Sequence, residues 1–227
     1  MSTLYIVATP IGNLNDLSPR AVEVLKSVDY IACEDTRKSE HMLQHFGISK
    51  PTFSFHQHNE HRKVAHLMNI LDANQDVALI GDAGMPGISD PGFLAVRAAQ
   101  QGEHTVSVIP GPDAATTALV ASGLPCDRYV FEGFLPHKKG RQKRLGQLAE
   151  EELTIVIYES PNRLLKLLGE LEEHFERERL AAVARELTKK FEEVVRGTIN
   201  ELKTEFEQRD SIKGEIVVIV SGKGYSE

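Results

Sequence analysis

VALIGDAGMPGISDPG, Val77 to Gly92, decides the fold. An apolar run, Val77 to Ile80, passes directly into a glycine- and proline-rich turn that carries Asp82 and Asp90. A run of this length without polar alternation suits a strand buried on both faces, and hence a sheet with helices above and below it. The turn is neither a Walker loop nor a GxGxxG dinucleotide turn. Gly81 and Gly84 allow backbone to approach a ligand closely, and Pro86 stiffens the turn. Asp82 then stands at the carboxyl end of a strand, where ligands of open α/β sheets bind. A carboxylate there repels phosphate and attracts hydroxyls, an amine or a sulfonium-bearing ligand. The alternative is an aspartate that only caps the turn.

The same alternation extends in both directions. LYIVA (Leu4–Ala8), DYIACE (Asp29–Glu34), TFSF (Thr52–Phe55) and TVSVIP (Thr105–Pro110) read as strands beside VALIG (Val77–Gly81). A second series follows with YVFEGF (Tyr129–Phe134), TIVIYE (Thr154–Glu159), LAAVAR (Leu180–Arg185), FEEVVRG (Phe191–Gly197) and EIVVIVSG (Glu215–Gly222). Ser18-Pro19, Asp90-Pro91 and Ser160-Pro161 each place a small polar cap before a proline whose missing N–H is dispensable in a first helical turn. Gly102 suits a helix C-terminus. The class is α/β. The two series meet near SGLPCD, Ser122 to Asp127, which places a junction there and divides the chain into domains 1–121 and 122–227 with a ligand cleft between them.

Composition sets limits. The chain has 227 residues, 41% hydrophobic and 26% charged, with a net charge of −7. The N-terminus moves directly into a strand-like run without the basic start of a signal peptide. No apolar stretch reaches the roughly 20 residues needed to cross a bilayer, so no membrane partner is expected. Cys33 and Cys126 share no metal-type spacing, and the expectation is a reducing, cytoplasmic location. The net charge argues against a protein that coats nucleic acid. HKKGRQKR, His137 to Arg144, nevertheless concentrates five cations in eight positions. A global charge does not exclude a local phosphate site.

Several constellations carry possible chemistry. ATPIGNLNDLSP (Ala8–Pro19) and VIPGPDAATTAL (Val108–Leu119) are two more strand-to-helix turns, and three such turns in one domain suggest a composite pocket. CEDTRKSEHMLQHFG (Cys33–Gly47) places Glu34, Asp35 and Arg37 just after a strand, either as a salt-bridged turn or as a proton-handling group. HQHNEHRKVAH (His56–His66) holds four histidines in a spacing that matches no common zinc site, so no metal is expected and His58 with Asn59 would orient a substrate. His41 and His45 lack the glutamate of HExxH. The basic run is either a solvated loop or a contact to phosphate backbone. In YESPNRLL (Tyr158–Leu165), Arg163 opposes the helix dipole in a first turn, so its position is best explained by a carboxylate or phosphate partner. ARELTKKFEEVVRG (Ala184–Gly197) and KGE (Lys213–Glu215) place further charges at strand ends.

Taken in order, LYIVATPIGNL, CEDTRK, HNE, GDAGMPGISDPG, PGP, GLPCDRYVFEGFLP, YESPNRL, ARELTK and KGE resemble the bacterial small-subunit rRNA (cytidine-2'-O)-methyltransferase family, a branch of the tetrapyrrole-methylase superfamily. The resemblance runs from Leu4 to about Gly222. It implies two αβα domains, S-adenosyl-L-methionine as donor, and methylation of a cytidine ribose 2'-hydroxyl in 16S rRNA, within the small ribosomal subunit and by a homodimer. Carried over by position, Pro10, Asp82, Met85, Asp113 and Ala114 line the donor pocket, joined from the second domain by Tyr158, Ala184 and Glu215. Two positions depart from the pattern: Met85 stands where a threonine is expected, and Asp113 where a small or uncharged residue is usual. Some members carry a helical extension after the last strand, for which this sequence has no counterpart.

Methyl transfer to a hydroxyl is an in-line displacement, and alignment is the enzyme's main contribution. A base beside the weakly nucleophilic hydroxyl would help. Candidates are Glu34, Asp35, His58, Glu159, Glu186 and Lys213, with the acids of EDTR favoured and Arg37 positioning them. Lys138, Lys139, Arg141, Lys143, Arg144, Arg163, Arg185 and Lys189, with His58, are expected to hold RNA, whose reactive nucleotide must leave its stack. The rivals are a methylase of a tetrapyrrole or another small molecule, and a non-catalytic RNA-binding assembly factor.

Overall fold

The computed structural model describes residues 2–226 and contains every strand expected from sequence. Contacts divide the chain into two compact units, Met1–Asp113 and Ala114–Glu227. In the first, β1 (Thr3–Val7), α1 (Pro19–Ser27), β2 (Tyr30–Cys33), α2 (Thr36–His45), β3 (Thr52–Ser54), α3 (Glu60–Asp72), β4 (Val77–Ile80), α4 (Phe93–Gln101) and β5 (Thr105–Ile109) alternate without exception. The sheet order is β3-β2-β4-β1-β5, with every pairing parallel.

The apolar run Val77–Ile80 explains the layering. Its four residues are all buried, and successive side chains point to opposite faces. Ala78 and Ile80 pack with Leu25 of α1 and Leu43 of α2, whereas Val77 and Leu79 pack with Leu67 of α3 and Ala95 of α4. The edge strands β3 and β5 are only partly buried.

The second unit comprises α5 (Ala114–Ser122), β6 (Tyr129–Phe134), α6 (Arg141–Ala149), β7 (Thr154–Glu159), α7 (Leu164–His174), β8 (Leu180–Arg185), β9 (Glu193–Thr198), α8 (Ile199–Glu207) and β10 (Ile216–Val220). Its sheet is mixed, in the order β6-β7-β10-β8-β9, and β10 runs antiparallel to both neighbours. One face buries Leu148, Leu168 and Phe206 from α6, α7 and α8 against Ile155, Val183 and Val218. α5 packs against β7, β8, β9 and β10. The helix therefore belongs to the second sheet, and the division falls before α5, whereas the sequence placed the junction after it.

Helix starts agree in part. Ser18 caps α1, its hydroxyl accepting from the Ala21 N–H at 3.1 Å, with Pro19 as first residue. Asp90-Pro91 does not start a helix: α4 begins after Gly92, which has no side chain with which to cap it. The vacant acceptor position is filled from another element. Glu60 Oε1, in the first turn of α3, accepts from the N–H groups of Gly92 and Leu94 at 3.1 and 3.3 Å.

Candidate active site

Because all strands of the first sheet are parallel, their carboxyl ends lie together. The chain leaves β1 toward the α1–α2 face and leaves β4, its neighbour, toward the α3–α4 face. Such a divergence opens a crevice at the strand ends. Thr9 and Gly84 tie the two diverging loops together through a pair of backbone hydrogen bonds of 2.9 Å, and the Thr9 hydroxyl donates to the Gly81 carbonyl. Gly111, after β5, lies so close that a Cβ there would stand 3.0 Å from the Ala8 Cβ. The loops after β1, β4 and β5 thus form one packed assembly.

Carboxyl groups concentrate on it. The Asp82 N–H donates to Glu34 Oε2 (3.1 Å), while Asp82 Oδ1 accepts from the Asp35 N–H (3.0 Å) and Oδ2 from Lys38 Nζ (2.6 Å). β2 and β4 are therefore stitched together just beyond their ends. Asp35 caps α2 and holds Arg37, whose guanidinium drives its carboxyl down to about 2. Among the described residues the Asp90 carboxyl forms no hydrogen bond. Burial first, and then the charges of Glu34 and Asp82, push it up to about 7. Burial also raises the Cys33 thiol to about 11, which leaves no thiolate at this strand end.

The other expected residues of this unit fall into place unequally. Pro10 is buried in the β1 loop, Met85 packs partly against the α3–α4 cluster, and Asp113 follows β5, whereas Ala114 opens α5 of the second unit. His58 is exposed beside His56. Asn59 is occupied within its own turn, accepting from the His56 N–H.

One end of the second sheet holds the remaining candidates. Tyr158, Glu159, Ala184 and Arg185 lie near the ends of β7 and β8, and Glu215 precedes β10. Ala184 is fully buried and presents no side chain to solvent. Lys189 bridges Glu186 (2.8 Å) and Glu215 (2.9 Å), and Arg185 pairs with Glu193. Gly214 has φ +94°, and a Cβ there would lie 2.3 Å from the Glu186 Cγ, so only glycine permits this turn.

Two cations of the basic run are bound to carboxylates of this unit. Arg141 is 3% exposed, its guanidinium enclosed by Glu170, Glu159 and the Pro136 carbonyl, because β7 and α7 bury two carboxylates that require it. Arg144 is bound through Nε and Nη2 to Glu132 on β6. Arg163 has the carboxylate partner its position called for, Glu159 at 2.7 Å. Lys138, Lys139 and Lys143 are exposed and form no ion pair among the described residues.

Sequence reading missed Asp90 and Lys38. Asp90 was taken for a helix cap because it precedes a proline, and what marked it otherwise was its place in the same loop as Asp82. Among the described residues no group of three or more His, Cys, Asp or Glu side chains is arranged to hold a metal ion, and no helix is long and apolar enough to cross a membrane.

A family model for tetrapyrrole (corrin/porphyrin) methylases matches residues 3–203. The chain is 49% identical over 223 residues to a protein of Synechocystis sp. named ribosomal RNA small subunit methyltransferase I, covering 98% of this chain and 80% of that one. A protein of the same name from Pasteurella multocida is 49% identical over 222 residues, with coverage of 97% and 79%. Among solved structures, the methyltransferase CobJ superposes with a TM-score of 0.73 at 16% identity, covering 100% and 97% of the two chains. A uroporphyrin-III-C-methyltransferase from Thermus thermophilus gives 0.67 at 18%, covering 97% and 94%. At those identities the structures speak for the fold alone.

Proposed function

We infer the reaction from one premise: the chain belongs to the tetrapyrrole (corrin/porphyrin) methylase family and is a methyltransferase that uses S-adenosylmethionine. Within that family we read it as an enzyme of ribosomal RNA that methylates the ribose 2'-hydroxyl of a cytidine in 16S rRNA. Action on the small subunit, a cytoplasmic location and a homodimeric state belong to the same reading. The observation that carries it is near-half identity, over nearly the whole chain, to proteins named for small-subunit rRNA methylation.

The strand ends of the first sheet suit this donor. Glu34, Asp35 and Asp82, with Asp90 beside them, outnumber the cations Arg37 and Lys38 there, an acidic balance that favours a ligand with sulfonium and ammonium groups. Asp82 with Pro10, Met85, Asp113 and Ala114 would hold it, and Tyr158, Glu215 and the backbone of Ala184 are assigned to the same ligand. Bound there, the donor supplies the electrophilic methyl group.

A hydroxyl acceptor must lose its proton as it is methylated. Asp35 is unsuited to receive it, because Arg37 holds its carboxyl near 2. Glu159 is buried between two guanidiniums, and Lys189 lowers Glu186. Asp90, near 7 and unpaired, matches the ideal of a base poised at the operating pH. We therefore assign the proton transfer to an Asp90 carboxylate oxygen, with burial, and then Glu34 and Asp82, keeping its affinity for the proton high.

The substrate class is tested with radiolabelled donor and two acceptors, small ribosomal subunits lacking the modification and a porphyrin-type tetrapyrrole. Label in the rRNA alone is expected. Label in the tetrapyrrole alone would overturn the reading while leaving the chain a methyltransferase.

A further inference from the structure

The first sheet has an open edge at β3, and on one side of it lies a groove of about 330 Å3 that the proposed chemistry does not use. One wall is a single face of α2, with Thr36, Glu40 and Gln44 at successive turns. The other is the segment entering β3, with Ser49, Lys50 and Thr52. The wall from Thr36 to Gln44 is roughly 12 Å long at the rise of an α-helix. Its upper end reaches Thr36 and Arg37, next to the Asp35–Asp82 hydrogen bond at the strand ends.

The polar character of the groove is specific. Glu40 is the sole acid among its lining residues and accepts from Gln44 at 3.0 Å. Lys50 is half-buried and forms no ion pair among the described residues. Arg37 spends Nε and Nη2 on Asp35, which leaves Nη1 for an outside acceptor. Across the edge strand, Lys63 lies 5.9 Å over the Phe53 ring, with His66 edge-on to the same ring at 4.9 Å, and the neighbouring Arg62 is exposed. Cations and hydroxyls along one edge are what an unpaired RNA strand engages through its phosphates and riboses.

We propose that this edge, from Lys50 and Lys63 up to Thr36, is a second RNA track on which the strand leading to the target nucleotide lies. The proposal rests on the rRNA reading and extends it to a surface of the first unit.

The test measures binding of a fluorescein-labelled, single-stranded, cytidine-containing oligoribonucleotide across a salt series. The double variant Lys50→Gln/Lys63→Gln should lower the log–log salt slope by about 1.4, at roughly 0.7 per lost phosphate contact. Lys50→Arg/Lys63→Arg should restore it, and donor binding should be unchanged in both. An unaltered slope in the glutamine variant, with wild type binding normally, overturns the track and spares the rRNA reading. Wild type that does not bind the oligonucleotide at all also overturns the track, while the rRNA reading stands or falls on transfer to small subunits. If the glutamine variant melts early, a 4-thiouridine-labelled oligonucleotide cross-linked to wild type decides instead. Adducts within residues 48–66 support the track, and adducts confined elsewhere refute it. Binding of a polycarboxylate porphyrin that depends on the same lysines would assign the groove to an acidic small molecule.

Discussion

Asp82 and Asp90 stand eight residues apart in one loop, and their surroundings give them opposite tasks. Asp82 is fixed at the strand ends by Lys38 and the Asp35 N–H, a position from which it is proposed to hold the donor. Replacing it with alanine removes a hydrogen bond to a charged group, worth about 1.5–3 kcal/mol. Donor affinity, read by calorimetry, should fall by roughly 10- to 150-fold in a variant that still folds. Asp90 is held protonated near neutrality by burial and by its acidic neighbours. In Asp90→Asn, transfer should slow by roughly 10²–10⁴-fold and lose the rise in rate that wild type shows as pH passes through about 7. Stability should move the other way. The folded protein binds this proton more tightly than the unfolded chain, so the contribution of Asp90 is present at low pH and is lost as pH rises from about 4 to about 7. The asparagine variant should therefore melt higher than wild type at pH 8 and show no such gain at pH 4. Equal melting temperatures at pH 8 would show that Asp90 carries no such strain.

Whole elements are positioned by single charged side chains. Glu60 closes the start of α4 from α3, and Glu60→Ala leaves two N–H groups without it. A cost of about 0.5–2 kcal/mol, the usual value of a helix cap, is expected in denaturant titration. Arg141 fastens the start of α6 to β7 and α7, and Arg141→Leu should cost about 3–5 kcal/mol because Glu159 and Glu170 lose their shared cation. These two residues also show where the sequence was legible and where it was not. Central strands such as β4 and β10, buried on both faces, announce themselves as apolar runs, and the partly buried edge strands were readable from their β-branched and aromatic residues. Which cation in a run of five is buried depends on carboxylates 18 and 29 residues away, and nothing local records that. Likewise Asp-Pro reads as a helix start from local chemistry, whereas α4 is capped from another helix. The grouping of Glu34 with Asp82 followed only once β2 and β4 were known to be neighbours. Its ingredients, acids at strand ends, were visible beforehand.

For the molecule as a whole, a net charge of −7 and an RNA substrate are compatible only if cations are local and unpaired. Lys138, Lys139 and Lys143 meet that requirement, and Arg141 and Arg144 do not. Changing the three lysines to glutamine should lower the salt slope of RNA binding by about 2–3 in total, at roughly 0.7–0.9 per phosphate, and leave donor binding intact. The family was legible because its motifs extend over nearly the whole chain. The site of the transferred methyl is a matter of one atom, and it can be read on the product. Small subunits lacking the modification are incubated with the protein and S-adenosylmethionine, and the 16S rRNA is then hydrolysed in alkali and digested for mass spectrometry. One linkage 3' to a cytidine should resist alkali, with the added methyl mass on its ribose. A methyl mass on the base, with every linkage alkali-labile, would contradict ribose methylation.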